Sequence, residues 1–174
     1  MSEPTGVPPS RTAEYRGRDL RAEGCWTAEH ARYGLVVFNE DRQVLLREPA
    51  NHFGGYWFTF SKGRAEKGEH PLDTAMRETL EETGYRPDII GHLQKTFFGG
   101  SMNSANNFYV GFDTQGQVDP MAVERNKETW SIRWATHEEA VKLIKKTTDS
   151  GRERDLETLH AAYEEFEKIS AGDS

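Results

Sequence analysis

The chain lacks several features that define whole classes of protein. It contains one cysteine, Cys25, so no disulfide can form within the chain. No apolar run is long enough to span a bilayer, and the first residues contain no apolar stretch typical of a signal peptide. We therefore expect a cytoplasmic protein that is neither stabilised by disulfides nor bound to a membrane.

Positive charge is also scarce. The 22 Lys and Arg residues are outnumbered by 29 Asp and Glu residues, and the formal net charge is −7. Such an acidic chain is a poor candidate for binding nucleic acid through bulk electrostatics, so nucleic acid is not an expected partner. A small polyphosphate is still compatible with it, because divalent cations bridge two negative partners.

The sequence divides into two parts of different character. Residues 1–28 are rich in Pro, Gly, Arg and Glu without periodicity, which predicts a flexible N-terminal arm or a loosely docked extension. Residues 29–174 have the length and apolar content of a single domain. An apolar stripe from Leu156 to Ile169 has two interpretations, a dimer surface or a helix packed on its own core, so monomer and homodimer both stay open.

Strand and helix patterns alternate within residues 29–174. The predicted strands are Gly34–Phe38, Gln43–Arg47, Tyr56–Phe60, Ile89–Leu93, Lys95–Phe98, Asn107–Phe112 and Thr129–Trp134. The predicted helices are Pro71–Thr83, His137–Lys146 and Glu153–Ile169. A Gly-rich, charged loop is predicted over Ser61–His70, immediately before the first helix. This mixture predicts an α/β or α+β fold in which helices pack on a sheet.

The first predicted helix carries three glutamates on one face. Glu78, Glu81 and Glu82 stand at i, i+3 and i+4, so their carboxylates lie close together. They repel each other, and a bound cation would remove that repulsion. Hard oxygen ligands favour Mg²⁺ or Mn²⁺ over zinc. Taken alone, however, such a triplet is more typical of a solvated helix surface.

The loop before this helix is basic. Lys62 and Arg64 are candidate phosphate contacts, with a solvated basic loop as the alternative interpretation. Arg47, at the end of a predicted strand, is a weaker candidate for the same role. Glu69 in the loop is expected to pair with Arg77, which would tie the loop to the helix.

The segment from Gly63 to Tyr85 resembles the Nudix box, G-x5-E-x7-R-E-U-x-E-E-x-G-U, in which U is a bulky apolar residue. All seven fixed positions are present: Gly63, Glu69, Arg77, Glu78, Glu81, Glu82 and Gly84. Thr79 departs from the pattern at the first U position, and we expect slightly weaker helix packing there. Segments around Trp57 and Trp134 extend the resemblance to residues 32–147.

The resemblance implies a fold and a reaction. The fold would be a Nudix-like α/β/α sandwich with a mixed sheet, in which the box forms a loop, a helix and a second loop. The reaction would be Mg²⁺-dependent hydrolysis of a nucleoside diphosphate linked to another group, with water attacking phosphorus. The expected partner is a small nucleotide, and the sequence mildly favours nucleoside or dinucleoside polyphosphates.

The resemblance also implies roles for individual residues. The metal ligands would be the Gly63 carbonyl and the carboxylates of Glu78, Glu81 and Glu82. Arg77 and Glu69 would orient the box. The general base would be either Glu78 or a glutamate from a later loop, for which Glu128 is the first candidate and Glu124 the second.

A nucleobase needs a flat aromatic surface. Phe53, Tyr56, Phe97, Phe98 and Tyr109 are available, and Phe53 and Tyr109 are the candidates. Alternation along the strand Asn107–Phe112 turns Tyr109 away from Phe108, so Tyr109 is expected to face the cleft.

Two other functions are alternatives to hydrolysis on this fold. One is a Nudix module that senses a nucleotide without turnover, although such modules usually lose box carboxylates, and none is lost here. The other is an isoprenoid diphosphate isomerase of the same fold, which needs a cysteine and a glutamate in its pocket. Cys25 lies in the predicted arm, so the isomerase ranks last.

Overall fold

The computed structural model describes residues 14–15, 17–23, 31–99, 104–148 and 150–172. The strands are β1 (Glu14–Tyr15), β2 (Arg18–Asp19), β3 (Arg32–Phe38), β4 (Val44–Pro49), β5 (Ser61–Arg64), β6 (Asp88–His92), β7 (Phe97–Gly99), β8 (Ser104–Phe112) and β9 (Thr129–Ala135). The helices are α1 (Leu20–Glu23), α2 (Pro71–Thr83), α3 (Ala122–Arg125), α4 (His137–Lys145) and α5 (Gly151–Ser170). A 3₁₀ segment covers Ala50–Gly55.

Seven of the strands form one mixed sheet with helices on both faces. Its central order is β6-β8-β3-β4-β9, with β3 and β8 parallel and the other pairs antiparallel. Leu35 and Val37 pack in a core with α2, whereas Val36 and Phe38 pack in a second core with α4 and α5. The predicted α/β/α sandwich with a mixed sheet is therefore confirmed.

The C-terminal helix uses its apolar stripe inside the molecule. Leu159, Tyr163, Phe166 and Ile169 are buried in the second core, and the Phe166 ring stacks on Phe38 with centroids 4.1 Å apart. Of the two interpretations of this stripe, the packed helix is the one observed. Within the described residues, no helix is long and apolar enough to cross a membrane.

The sheet opens near its centre because β3 and β4 diverge. They pair only at Phe38 and Val44, and along the first half of β3 the partner strand is β5 instead. A single bridge between Arg47 and Thr59 joins β4 to the segment preceding β5. The divergence leaves a gap between β4 and β5 at one end of the sheet.

The prediction of a strand over Tyr56–Phe60 is wrong. The strand that pairs with β3 begins at Ser61, inside the predicted loop. Phe58 and Phe60 are buried core residues, which explains the strand-like composition of the preceding segment. Gly34 lets β5 approach β3 closely, since a Cβ at position 34 would overlap the carbonyl oxygen of Ser61.

Helix α2 has the predicted bounds. The His70 ring accepts a hydrogen bond from the Leu72 backbone N–H at 3.0 Å, which caps the N-terminus. Gly84 has φ 81° and ends the helix in the left-handed conformation. Thr79 is fully buried, and its hydroxyl donates to the Ala75 carbonyl at 2.8 Å, so its polar atom is satisfied inside the helix.

Part of the predicted flexible arm is packed on the domain. Leu20 is fully buried in the core beneath α2. Arg21 binds Asp73 of α2 through two hydrogen bonds of 2.6 and 2.7 Å. Of the two alternatives for this segment, docking is the one observed for Leu20 and Arg21, because an apolar side chain and an ion pair anchor them. Cys25 lies outside the described residues, as do residues 1–13, 16 and the remainder of 24–30.

Candidate active site

The gap between β4 and β5 is a cleft of about 610 Å³. Eight of the twelve predicted site residues line it: Arg47, Phe53, Lys62, Gly63, Arg64, Glu78, Glu82 and Glu128. The wall also contains eight residues that the sequence did not assign to the site: Arg32, Pro49, Ala50, Asn51, Gly54, Tyr56, Thr59 and Lys127. The other four predicted residues, Glu69, Arg77, Glu81 and Tyr109, lie outside the wall.

Glu78 and Glu82 form a carboxylate pair at the base of the cleft, in which Glu82 is buried and Glu78 is partly buried. Burial and repulsion from Glu82 raise the pKa of Glu78 to about 8, and burial raises the pKa of Glu82. The Glu78 carboxylate lies against Gly63, where a Cβ would overlap it. Glu82 Oε1 is buried without a hydrogen-bond partner among the described residues, and Arg47 Nε lies 3.6 Å away.

These features fit a hard divalent cation. Two adjacent carboxylates, one with an unpartnered buried oxygen, are costly unless a positive charge joins them. The glycine also lets the Glu78 carboxylate lie directly beside the backbone at position 63. The residues present therefore suit the Mg²⁺ or Mn²⁺ that the box implies.

Glu81 stands apart from this pair. Its side chain is half exposed, and its Oε1 lies 3.3 Å from Arg77 Nη1. In the part of the chain that the structure describes, no three acidic, histidine or cysteine side chains are arranged to hold one ion. The predicted triplet is thus a buried pair with a third carboxylate near the rim, and metal binding by Glu81 stays a prediction.

The predicted pairing of Glu69 with Arg77 is present. Arg77 Nε donates to Glu69 Oε2 at 2.8 Å, and Arg77 Nη2 donates to Glu69 Oε1 and to the Arg64 carbonyl, both at 3.1 Å. Burial opposes ionisation of Glu69, but hydrogen bonds led by that from Arg77 lower its pKa below the ordinary value. One buried guanidinium thus fixes the end of β5, which carries Gly63 and Arg64, and the following loop to helix α2.

Neighbouring groups affect two basic side chains on the cleft wall, Lys62 and Arg47. Burial and the nearby Arg154 guanidinium lower the pKa of Lys62 to about 7. Arg47 Nη2 donates to the Glu128 carbonyl at 2.6 Å, and Arg47 Nε donates to Thr129 Oγ1 at 3.0 Å. Arg47, predicted as a phosphate contact, is therefore engaged in joining β4 to the start of β9.

Residues 28–156 match the family model of the NUDIX domain. The chain belongs to the Nudix hydrolase family. The carboxylate pair, the glycine and the Arg77–Glu69 pair are thus parts of a Nudix box in its folded form.

Relatives and solved structures agree with this assignment. The chain is 31% identical over 144 residues, covering 76% of it and 68% of the relative, to CMP-5'-(N-acetyl-N-hydroxy-3-aminopropyl)phosphonate hydrolase of Streptomyces rubellomurinus. It is 38% identical over 71 residues, 38% of this chain and 45% of the relative, to oxidized purine nucleoside triphosphate hydrolase of Mus musculus. A crystal structure of a C. elegans Ap4A hydrolase binary complex matches 81% of this chain and 98% of that chain, with a TM-score of 0.56 and 19% identity, which shows the fold alone.

The two candidates for a later general base differ in position. Glu128 lies on the wall of the Nudix cleft and is exposed. Its carbonyl accepts hydrogen bonds from Arg47 Nη2 and from the Ala50 backbone N–H at 2.9 Å, so its backbone is fixed. Glu124 lies in α3 and does not line the cleft. Geometry therefore favours Glu128 over Glu124.

The two predicted aromatic contacts also differ. Phe53 is 82% exposed at the cleft mouth, where it can meet a flat ligand. Tyr109 is fully buried with Leu72 and Met76 of α2, so the prediction that it faces the cleft is wrong. The alternation was right that Tyr109 points away from Phe108, but both faces of β8 are covered.

The sequence did not predict a buried ion pair that lies beneath the cleft. Arg154 and Asp155 of α5 are completely buried and lie 3.0 Å apart. Thr59 on the cleft wall donates its hydroxyl to Asp155 at 2.7 Å, and the Arg154 guanidinium lies 5.3 Å from the centre of the Tyr56 ring. The only sequence signal was a charged pair beside the apolar stripe of α5. Helix α5 thereby supports the cleft floor.

Proposed function

We propose that this Nudix hydrolase is a Mg²⁺-dependent pyrophosphohydrolase that cleaves a P–O–P bond in a nucleoside diphosphate derivative. The observation that carries the proposal is the carboxylate pair of partly buried Glu78 and buried Glu82, which lines a cleft containing five basic side chains. Those cations are Arg32, Arg47, Lys62, Arg64 and Lys127. The names of the relatives, a CMP-phosphonate hydrolase and a nucleoside triphosphate hydrolase, support a nucleotide as substrate.

Glu78, Glu82 and the Gly63 carbonyl would hold the cation, with Glu81 as a further ligand. When bound, Mg²⁺ neutralises charge on the phosphate oxygens and on the leaving group. Lys62 and Arg64 bind phosphate oxygens and orient the chain of phosphates. Phe53 offers a surface on which the base can stack.

The proton of the attacking water passes to a carboxylate. The water oxygen forms a bond to phosphorus, the bond to the bridging oxygen breaks, and the leaving phosphate departs with the electron pair. We assign the proton to Glu128, because its exposed carboxylate lies on the cleft wall while its backbone is held by Arg47. Glu78 is the alternative base, but it already faces Glu82 and Gly63.

The test is a panel of nucleotides assayed with Mg²⁺ and with Mn²⁺, with products identified by mass spectrometry in ¹⁸O-labelled water. We expect a nucleoside monophosphate, phosphate or pyrophosphate, and a loss of roughly 100-fold or more in kcat for Glu128→Gln. Glu40→Gln, at an exposed turn away from the cleft, is the matched control and should match wild type.

Two results would contradict the proposal. If wild type cleaved no nucleotide with either metal, the protein would not be the proposed pyrophosphohydrolase. Tight binding without product, unchanged in Glu82→Gln, would instead identify a nucleotide-sensing module. A loss in Glu124→Gln rather than in Glu128→Gln would move the base and leave the reaction intact.

A further inference from the structure

Two arginines face each other across the strand pair that borders the cleft. Arg32 of β3 and Arg64 of β5 are direct partners in the antiparallel register, and both line the cleft. Side chains at directly opposed positions of an antiparallel pair lie on the same face, and like charges there destabilise the pair. The arrangement therefore carries an electrostatic cost in the absence of an anion.

Nearby carboxylates do not offset this cost. Across residues 31–99, 104–148 and 150–172, neither guanidinium has an ion pair or a side-chain hydrogen bond within the protein. The other cations of the inner wall differ, because Arg47 lies 3.6 Å from Glu82 and Lys62 feels the charges of Asp155 and Glu82. Two unneutralised guanidinium groups are thus concentrated at one end of the cleft.

The pair also has a fixed position beside the carboxylates. Arg64 directly follows Gly63, against which the Glu78 carboxylate lies, so the two positions are about 3.8 Å apart along the backbone. Arg77 holds the Arg64 carbonyl at 3.1 Å, and β3 pairs with β5 on the other side. A phosphate on the arginines would therefore neighbour a phosphate at the carboxylate pair.

A terminal phosphate matches these two guanidinium groups in charge and geometry. It has three free oxygens and carries about two negative charges near neutral pH, and arginine binds such oxygens through paired N–H donors. A phosphate esterified on both sides carries one charge and has two free oxygens. The pair therefore suits the end of a phosphate chain better than its middle.

We propose that Arg32 and Arg64 form a subsite for the unesterified terminal phosphate of a nucleoside polyphosphate. This inference rests on the proposed function and narrows its substrate class. Dinucleoside polyphosphates and nucleoside diphosphate sugars lack such a terminal group. The subsite therefore favours nucleoside polyphosphates over both.

The kinetic test compares a nucleoside triphosphate with its γ-methyl ester and with the matching dinucleoside polyphosphate. For Arg32→Gln and Arg64→Gln, we expect kcat/KM to fall roughly tenfold to 100-fold with the triphosphate. It should change less than about threefold with the two capped substrates, since the lost bonds are charge-assisted bonds to the free phosphate. Arg32→Lys should recover part of the loss, because it keeps the charge without the paired donors. Arg133→Gln, an exposed arginine of β9 outside the cleft, is the control.

A binding test separates this inference from the proposed reaction. Calorimetric titration of inorganic tripolyphosphate with Mg²⁺ requires no turnover. Weaker binding by Arg32→Gln and Arg64→Gln than by wild type and Arg133→Gln supports the subsite even if no nucleotide is cleaved. Equal binding by all four proteins, no binding by wild type, or an equal kinetic loss on free and capped substrates overturns it. Matching thermal melts show that each variant is folded.

Discussion

At the scale of single residues, two adjacent carboxylates at the base of the cleft oppose folding when no cation is bound. The carboxylates of partly buried Glu78 and buried Glu82 are adjacent, and one oxygen of Glu82 has no hydrogen-bond partner among the described residues. Buried like charges of this kind favour protonation or a bound cation. The same carboxylates that suit Mg²⁺ therefore weaken the protein when the cation is removed.

The first prediction is a stability change with pH in the presence of a chelator. The pKa of Glu78 rises from 4.5 to about 8 on folding, so the folded protein binds more protons than the unfolded chain between these values. The stabilising contribution is complete below 4.5 and is lost as pH rises through about 8. Thermal unfolding in EDTA should show the melting temperature falling over this range.

Glu78→Gln and Mg²⁺ provide the controls for this prediction. Glutamine cannot ionise, so the variant should lose much of the pH dependence and melt higher than wild type at pH 8, while its kcat falls by roughly 100-fold or more. Mg²⁺ should stabilise wild type increasingly as pH rises, because ligands must lose their protons to bind a metal. A wild-type melting temperature that rises from pH 5 to pH 8 in EDTA would count against the buried pair.

At the scale of elements, the loop before α2 depends on one guanidinium. Arg77 is 4% exposed and joins Glu69 and the Arg64 carbonyl. We predict that Arg77→Lys lowers the free energy of unfolding by about 2 kcal/mol, since an ammonium cannot reproduce the paired donors. It should also lower kcat at least about tenfold, because a small displacement of the loop moves the reacting groups. Urea unfolding and kinetics would measure both, and Arg133→Lys, at an exposed position of β9, should change neither.

The junction of α5 with the cleft floor gives a third prediction. Asp155→Ala leaves the Arg154 charge buried without its partner and removes the acceptor of the Thr59 hydroxyl. We expect a loss of about 3–5 kcal/mol in the free energy of unfolding. Replacing the pair together, by Arg154→Met with Asp155→Leu, should cost less than Asp155→Ala alone. A double-mutant cycle in urea measures the coupling, and purely additive losses would refute it.

At the scale of the whole molecule, local signals predicted some elements, and pairing between distant segments decided the others. Pro71 and Gly84 mark the ends of α2 within the sequence itself, and both bounds were predicted. The position of β5 was not predicted, because it depends on Gly34, which lies almost thirty residues earlier in the chain. Tyr109 was misassigned because alternation identifies two faces of a strand but not what covers them.

The same distinction applies to the site. The box motif identified Glu78 and Glu82, whose spacing is local. Arg32 has no local signal, and only the register of β3 with β5 brings it to the cleft. The Arg154–Asp155 pair likewise depends on how α5 packs.

The packing of the N-terminal segment gives a fourth prediction. Leu20 is fully buried in the core beneath α2, so Leu20→Ala should lower the free energy of unfolding by about 2–5 kcal/mol. Chemical denaturation followed by fluorescence measures this change. Val118→Ala, at a position 44% exposed, is the control and should cost far less. Equal small effects in the two variants would place Leu20 outside the core.

Because β3 and β4 diverge at the cleft, stability and activity make opposite demands on this part of the sheet. Backbone pairing of the two strands ends at Phe38 and Val44, and the space that further pairing would occupy is the cleft. Selection for heat resistance alone would favour continued backbone hydrogen bonds between β3 and β4. A variant that did so would gain a more regular sheet and lose the opening through which a substrate reaches the carboxylates.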